Sequence, residues 1–563
     1  MPNIYGTLNT AKMSLLTHQI ALDVAGQNIS NVNNPDFTRQ ELNLESAFPI
    51  QPGGSPGMIG TGVRATSIVR NFDQFLESQR LVNKSTTAFW DAKQDFLARL
   101  EVVFNESSEE GLNSLFDKFF LAWQNLAFNP RSLTERTDVI AQGRSVASFY
   151  SKLNQDMKNL RQDLDTKITS SVTEINRLTT EIVRMNQIIH ETEGANVNAN
   201  DFRDKRDALI RELSQYVDVS VVEDSSNEVS VSLRGGRPLV IGQTAFTLST
   251  QVRPDDAQAS SVYWADSAGT QFDITSEIKN GSLAAWIDMR DTEFAGYIDK
   301  LDLMAATMIR DINNLHSSGF GLDGSTGQDF FSGLSVGVAT NRNNTGAATI
   351  GAGTIVNPEK VNLHKFEITY SGGNLSIVDK TTGSTVATEA YTSGADINYF
   401  LTQGIQVAIT GAAQNGDKYT LNAAQDASMN MAVAQAVLTD TNKVAAGLTT
   451  DQGDGSNALR IAQIQSSNSM NKPNPSASGT ATFAEYYNSL VGQIGVSGKE
   501  AMSTYNQQEL INFELDNRRE QLSGVSLDEE MVNLIRYQHA YQASARLVSV
   551  VDELLQTLLG LGR

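Results

Sequence analysis

Leucine and isoleucine recur every seven residues in the opening stretch, and that spacing limits what the chain can become. Leu8, Leu15, Leu22 and Ile29 form one series; Ile4, Ala11, His18, Ala25 and Val32 form the interleaved one. Together they make an a/d seam of about four heptads, a pattern that asks for a partner helix. The pattern stops at Asn31-Val-Asn-Asn-Pro35, where proline cannot continue a helix and drives Asn34 out of the α region. The closing stretch repeats the device: Leu527, Leu534, Tyr541, Val548 and Leu555 fall seven apart, with Tyr537, Val551 and Leu558 beside them. Ser526-Leu-Asp-Glu529 reads as a capping box, and Asp528, Glu529 and Glu530 sit where a helix dipole favours acids. An apolar helix face with no local cover must be covered by the other terminus or by neighbouring subunits. The two series beginning at Leu8 and Leu527 are therefore the expected subunit-interface residues.

Between the ends the period changes several times. A Pro/Gly-dense loop from Phe48 to Gly62 precedes a short strand over Val63–Arg70; helical spacing then runs from Asp73 to Phe104 and from Gly111 to Phe128. Phe116, Phe119, Phe120 and Trp123 are expected to form core. Ser132-Leu-Thr-Glu135 caps a helix that continues to His190, and Ile168, Ile175, Ile182 and Ile189 repeat every seven within it, as in a coiled-coil strut. Alternation at Val217, Val219 and Val221 and at Val229, Val231 and Leu233 marks a small β region up to Ile278. Helical spacing returns from Ala284 to Leu315. A second β region covers roughly Ser335–Asn422, where Phe366, Ile368 and Tyr370 alternate before Gly372-Gly373. From Asn430 the chain reads as helical again, interrupted between Ser467 and Ser478. The expected fold class is multidomain α+β, with helical coiled-coil or bundle domains built from the N- and C-terminal segments and all-β modules inserted. The expected divisions are 1–62 with 523–563 as the inner terminal domain; 63–205, 283–333 and 427–522 as the helical strut; 206–282 as the small β domain; and 334–426 as the outer β domain.

Charge and composition remove several function classes. The formal charge of −21, from 43 Lys and Arg against 64 Asp and Glu, argues against nucleic acid and against docking on anionic lipid. No run approaches the eighteen apolar residues of a membrane span, so no membrane insertion is expected. The N-terminus lacks the basic region, apolar core and cleavage site of a secretory signal, which by itself points to the cytoplasm. Cysteine is absent, so stability must come from packing and not from disulfides.

Motifs that could carry chemistry fail on physical grounds, and no catalytic, cofactor-binding or metal residue is assigned. Gly53-Gly-Ser55-Pro-Gly57 matches a nucleophile elbow in spelling, yet Pro56 lacks the N–H an oxyanion hole takes from that position. Gly333-Leu-Ser335-Val-Gly337 precedes strand-like residues where the elbow needs a helix. Gly319-Phe-Gly321-Leu-Asp-Gly324 follows a helix and opens none, so a phosphate would meet no helix N-terminus. His18, His190, His316, His364 and His539 are scattered, and Asp451 with Asp454 does not reach an EF-hand spacing.

Asn28-Ile29-Ser30-Asn31, followed by Asn34-Pro-Asp-Phe-Thr-Arg39-Gln40, resembles the N-terminal signature of bacterial flagellar rod, hook and hook-associated proteins. Gly524-Val-Ser-Leu-Asp-Glu-Glu530 with Tyr537-Gln538-His-Ala-Tyr541-Gln542-Ala543 resembles their C-terminal signature; Asp204-Lys-Arg-Asp207 with Glu212-Leu-Ser214, and Gly455-Ser-Asn-Ala-Leu459, are supporting matches. Within that family the length, middle helices and inserts fit a subunit joining hook to filament. The resemblance implies a structural protein and not an enzyme, self-assembling into a ring-like zone between the hook protein and a second junction protein. It also implies export without a cleaved signal, through the flagellar export apparatus and with a cytoplasmic chaperone engaging the C-terminal helix, to an extracellular place on the flagellum. Two other readings stay open: a hook or distal-rod subunit, and a glycan-binding or wall-cleaving module in 334–426 built on Tyr370, Tyr391, Tyr399 and Tyr419.

Overall fold

The computed structural model describes residues 2–49, 51, 57–104, 111–194, 197–224, 226–253, 256, 259–472, 474 and 476–561. The Ser55 motif and part of the Phe48–Gly62 loop lie outside them. Helix α1 (Pro2–Ser30) ends in an asparagine turn in which the Asp36 N–H donates to Asn34 Oδ1 at 3.2 Å, a local bond that holds the chain out of the helix. Strands β1 (Gln40–Ser46) and β2 (Val63–Arg70) form an antiparallel hairpin running from Gln40 opposite Arg70 to Ser46 opposite Val63. The sequence indicated β2 but not β1, whose Gln-Glu-Leu-Asn-Leu-Glu-Ser is mostly polar.

The body is built on α2 (Gln74–Phe104), α3 (Leu112–Phe128), α4 (Leu133–Glu193) and α5 (Asn200–Tyr216). It is closed by α6 (Gly281–Asp288) and α7 (Phe294–Ser318), joined through a π-helical turn at Met289–Glu293. Helix α4 reaches 61 residues, and Ser132 accepts a hydrogen bond from the Glu135 N–H at its start, as the capping signal indicates. Its heptad series does not face another long helix. Ile168, Ile175 and Ile182 are buried in one core with Val231, Leu239 and Val262 of the small β region and Leu213 of α5, while Ile189 packs near Ala199. An apolar stripe is satisfied by any apolar layer, and here the layer is largely a sheet.

The small β region divides into a four-stranded sheet with β3 (Val219–Glu223) at its edge and a three-stranded sheet over Leu248–Val252, Ser260–Ala265 and Gln271–Asp273. The chain re-enters the helices at Gly281, whose φ of +82° and position beside the Tyr216 carbonyl leave no room for a Cβ. The second β region is a five-stranded antiparallel sheet ordered 337–340, 418–422, 365–371, 374–379 and 384–390. Its apolar face, with Phe366, Ile368 and Tyr419, belongs to the same core as the helical body, which also holds Phe330 and Phe331. Gly143 of α4 lets the Phe330 ring come close; a Cβ there would stand 2.9 Å from it.

Short helices α8 (Asn398–Thr402), α9 (Ala427–Asn430), α10 (Gln435–Thr439) and α11 (Ser456–Ala462) follow. The helical reading from Asn430 is therefore corrected: most of 430–482 is short turns, with Gly447, Gly453 and Gly455 interrupting the pattern. A continuous helix resumes only at α12 (Phe483–Ser523), with a complete Thr482/Glu485 capping box. Helix α12 runs along α2, and α13 (Leu527–Leu561) returns along α1.

Candidate assembly surface at the paired termini

The first and last helices cover each other. Ser14 Oγ and Ser544 Oγ lie 2.8 Å apart, and the rings of His18 and Tyr537 stack at 6.4 Å. Burial depresses the His18 pKa. The α1 residues that disappear are small or short: Ala11, Thr17, Ala21, Val24, Ala25 and Asn28. On α13 they are Glu530, Ser544 and Val551.

The leucines and their series-mates expected at a subunit interface do not fill this contact within the chain. Leu8, Leu15, Leu22 and Ile29 are only half-buried and flank the contact instead of filling it. On α13, Leu534, Val548 and Leu555 are half-buried, Leu527 and Tyr541 are exposed, and the Leu558 side chain lies outside the described residues. The reason is that α1 serves two partners. Thr17 Oγ1 donates to the Val63 carbonyl of the hairpin at 3.3 Å, so the buried face turns from the leucines toward β2. Small residues on the face shared with α13 let the two backbones approach.

A second feature of α13 remains uncovered. Val532, Ile535, Leu547, Val550 and Leu554 are exposed, and their spacing places them on the side turned away from α1. Leu16 and Ile20 do the same on α1. A two-helix pair with apolar residues on its outer faces offers surface to further helices.

The signature residues fasten this pair to the body. Asn28 Nδ2 donates to the Gln40 carbonyl at 2.9 Å, and the Gln40 N–H returns a bond to Asn28 Oδ1 at 3.0 Å, so a buried amide closes the turn. Arg39 Nε donates to Glu530 at 2.9 Å and its NH1 to Glu529 at 2.9 Å, while its backbone N–H donates to the Ser523 carbonyl. Burial opposes the Arg39 charge, but the two glutamates raise its pKa above the usual value. The capping box at Ser526 is consequently half-formed. The Glu529 N–H reaches Ser526 Oγ at 3.5 Å, but its carboxylate is held by Arg39. Gln40 Nε2 donates to Asp201, and the Thr38 N–H to Asp204, carrying the loop onto α5. Arg70 bridges Asp204 and Asp207 at 2.7 and 2.8 Å, Arg211 bridges Asp36 and Glu77, and Arg80 bridges Glu77 and Asp516. Four arginines thus tie the turn, hairpin, α2, α5, α12 and α13 together. Ser30 and Asn31 bond back to the Gly26 and Gln27 carbonyls, and Gln538 and Gln542 are exposed.

The other candidate chemistry resolves into packing. Ser335 sits in a loop entering the strand Gly337–Thr340. His316 is buried; its Nδ1 faces the Gln328 carbonyl and its Nε2 accepts from the Ala445 N–H, which fixes the neutral ring. Tyr370 packs edge-on to Tyr391, Tyr399 packs on Phe366 and Phe400, and Tyr419 is buried, so the four tyrosines form no exposed platform. No group of three or more metal-ligating side chains occurs among the described residues, and no described helix is long and apolar enough to cross a membrane.

Comparison with known proteins agrees with this arrangement. Residues 97–331 match the model of the flagellar hook-associated protein FlgK helical domain, and residues 520–561 match the model of the flagellar basal body rod FlgEFG protein C-terminal region. Flagellar hook-associated protein 1 of Escherichia coli (strain K12) is 26% identical over 558 residues, covering 98% of this chain and 99% of that protein. The protein of the same name from Bacillus subtilis (strain 168) is 26% identical over 590 residues, covering 100% and 99%. The flagellar hook junction protein FlgK from Burkholderia pseudomallei shares the fold, with a TM-score of 0.69 at 19% identity over 79% of this chain and 100% of that one. Matches that span both ends and the helical middle make this chain similar, over nearly its whole length, to flagellar hook-associated protein 1.

Proposed function

We propose that this chain is a structural subunit that polymerises through α1 and α13 into a short ring-like zone joining the hook to the filament. The observation that carries the reading is the uncovered apolar face of α13, Val532 to Leu554, on a helix already paired with α1. In that reading the inner layer is 1–62 with 523–563, the strut is 63–205, 283–333 and 427–522, and the β domains 206–282 and 334–426 lie outward. The interface then comprises the outer faces of the terminal pair together with the half-buried Leu8, Leu15, Leu22, Ile29, Leu534, Val548 and Leu555. The hook protein and a second junction protein are its axial neighbours. An export chaperone covering the exposed face of α13 would keep it from premature association before export to the cell exterior.

The test is deletion of the gene from its own bacterium. Cells should keep hooks, lose filaments and shed monomeric flagellin into the medium, and an antibody to the 334–426 domain should label only the hook–filament boundary of the parent. Labelling along the whole hook, or in the basal body, would favour a hook or distal-rod subunit; the rod-type match of 520–561 is the observation on that side. Normal filaments in the deletion strain would refute the junction reading.

A further inference from the structure

A cleft of 860 Å³ runs along α2, walled by β3 on one side and α12 on the other. Leu81, Val82, Ile210, Val219, Ile511 and Leu515 make it apolar. Its charged groups are already paired, Arg70 with Asp204 and Asp207 and Arg206 with Glu223, so it presents no net charge for an ionic ligand. Because β3 is the edge of its sheet, the strand's outer row of backbone groups faces no neighbouring strand among the described residues, which suits an extended segment.

The same molecule carries a segment of matching chemistry that cannot reach this cleft. The sequence between the two strands of the hairpin, residues 47–62, contains no Asp, Glu, Lys, Arg or His. Phe48 is 81% exposed and Met58 71%. The cleft begins at Arg70, the base of the hairpin, and extends along α2 toward Thr86. The far end of the hairpin lies the other way: eight residues of β2 at about 3.3 Å each set Val63 roughly 25 Å from Arg70. The bond from Thr17 to Val63 independently places that end beside the middle of α1. An uncharged apolar tip and a charge-balanced apolar cleft therefore point in opposite directions on one subunit.

We infer that the hairpin tip of one copy seats in the α2/β3/α12 cleft of a second copy, a head-to-tail contact of the kind that builds rings and helical stacks. This rests on the assembly reading above and specifies which surfaces meet. The chain has no cysteine, so introduced thiols report without background. Met58→Cys and Gln79→Cys place one thiol on the tip and one on the cleft wall, both at exposed positions. Flagella isolated from cells carrying the double variant should yield, on mild oxidation, a disulfide-linked ladder of this chain. Each single variant, and Met58→Cys combined with Lys380→Cys, should yield at least tenfold less. Three outcomes would overturn the inference: no ladder although the double variant is incorporated and filaments form, a crosslink within one chain, or a crosslink to a different protein. Absence of the chain from flagella altogether would instead overturn the assembly reading itself.

Discussion

Across the terminal pair the shared face is lined by Ala11, Ser14, Ala21 and Ala25 on one helix and Ser544 and Val551 on the other, while several of the larger apolar side chains look outward. Around Trp123 the body does the reverse. Trp123, Phe119, Phe330 and Phe331 are fully buried, with ring centroids 4.9 to 6.3 Å apart, and the β module closes over the same core. The aromatic core keeps its apolar mass inside the body, whereas the pair leaves much of its own facing outward. In the proposed assembly the pair is half of an interface, and the arginine network at Arg39, Arg70, Arg80 and Arg211 joins it to the body.

The most severe way to test that contrast is to charge the outer face of the pair. Val550→Asp with Leu554→Asp changes two side chains that are half exposed in the monomer, so its urea stability should change by less than about 0.5 kcal/mol. In the assembled junction two buried carboxylates per subunit would be intolerable. Filaments should be lost and flagellin should appear in the medium. If filaments persist, the outer face of α13 meets water in the flagellum. Trp123→Ala makes the complementary cut: it should cost the body about 3–5 kcal/mol in denaturant unfolding. A loss below about 1 kcal/mol would mean the aromatic cluster is not the keystone of that core.

Helix α7 carries two buried ionisable groups whose effects oppose each other. Asp302 accepts from the Asp426 and Ser428 N–H groups and from Ser428 Oγ, and burial pushes its pKa up to about 6. His316, locked neutral, is pushed down by burial to about 4. A raised acid binds more protons in the folded state, so its contribution is fully present below about pH 4 and lost as pH rises toward 6. A lowered histidine binds fewer, so its contribution is present above about pH 6.5 and lost as pH falls toward 4. Each shift amounts to about 3 kcal/mol, and over this window the two nearly cancel. Asp302→Asn should therefore expose the histidine slope: relative to the parent, urea stability should fall by about 3 kcal/mol between pH 6.5 and pH 4. An unchanged difference across that range would show that Asp302 is not titrating there.

Much of the body was legible in the sequence because long helices and alternating strands are local patterns. The 61 residues of α4 and the Gly372-Gly373 hairpin, with φ of +57° and +84°, follow from spacing and turn chemistry alone. The contact between the ends was legible in kind but not in its face. Counting leucines finds where apolar mass recurs, but a close helix contact is made by the residues that take least room, and α1 also had to answer to a hairpin whose first strand is mostly polar. The arginine network was not legible at all, since Arg39 and Glu530 stand 491 positions apart and nothing in either neighbourhood names the other.

The finest test of the contrast uses two glycines that sit inside helices with open space around them. A Cβ at Gly26 of α1 or at Gly492 of α12 would meet no atom within 4 Å. Alanine at either site should therefore strengthen its own helix by up to about 1 kcal/mol, the usual difference in helix propensity. The two gains should be visible in different experiments. Gly492→Ala lies in a helix packed along the body, so its gain should appear in full in global urea unfolding. Gly26→Ala lies in a pair that contributes little to the body's core, so global unfolding should barely change, while amide exchange in α1 should slow by up to about fivefold. Equal gains in global unfolding would show that the terminal pair melts together with the body. Assembly supplies the other arm. If Gly26→Ala slows exchange yet reduces incorporation into the junction, a neighbouring backbone must approach Gly26 closely in the flagellum. Unaltered incorporation would leave the apolar side chains of α13 as the part of the pair that holds its neighbours.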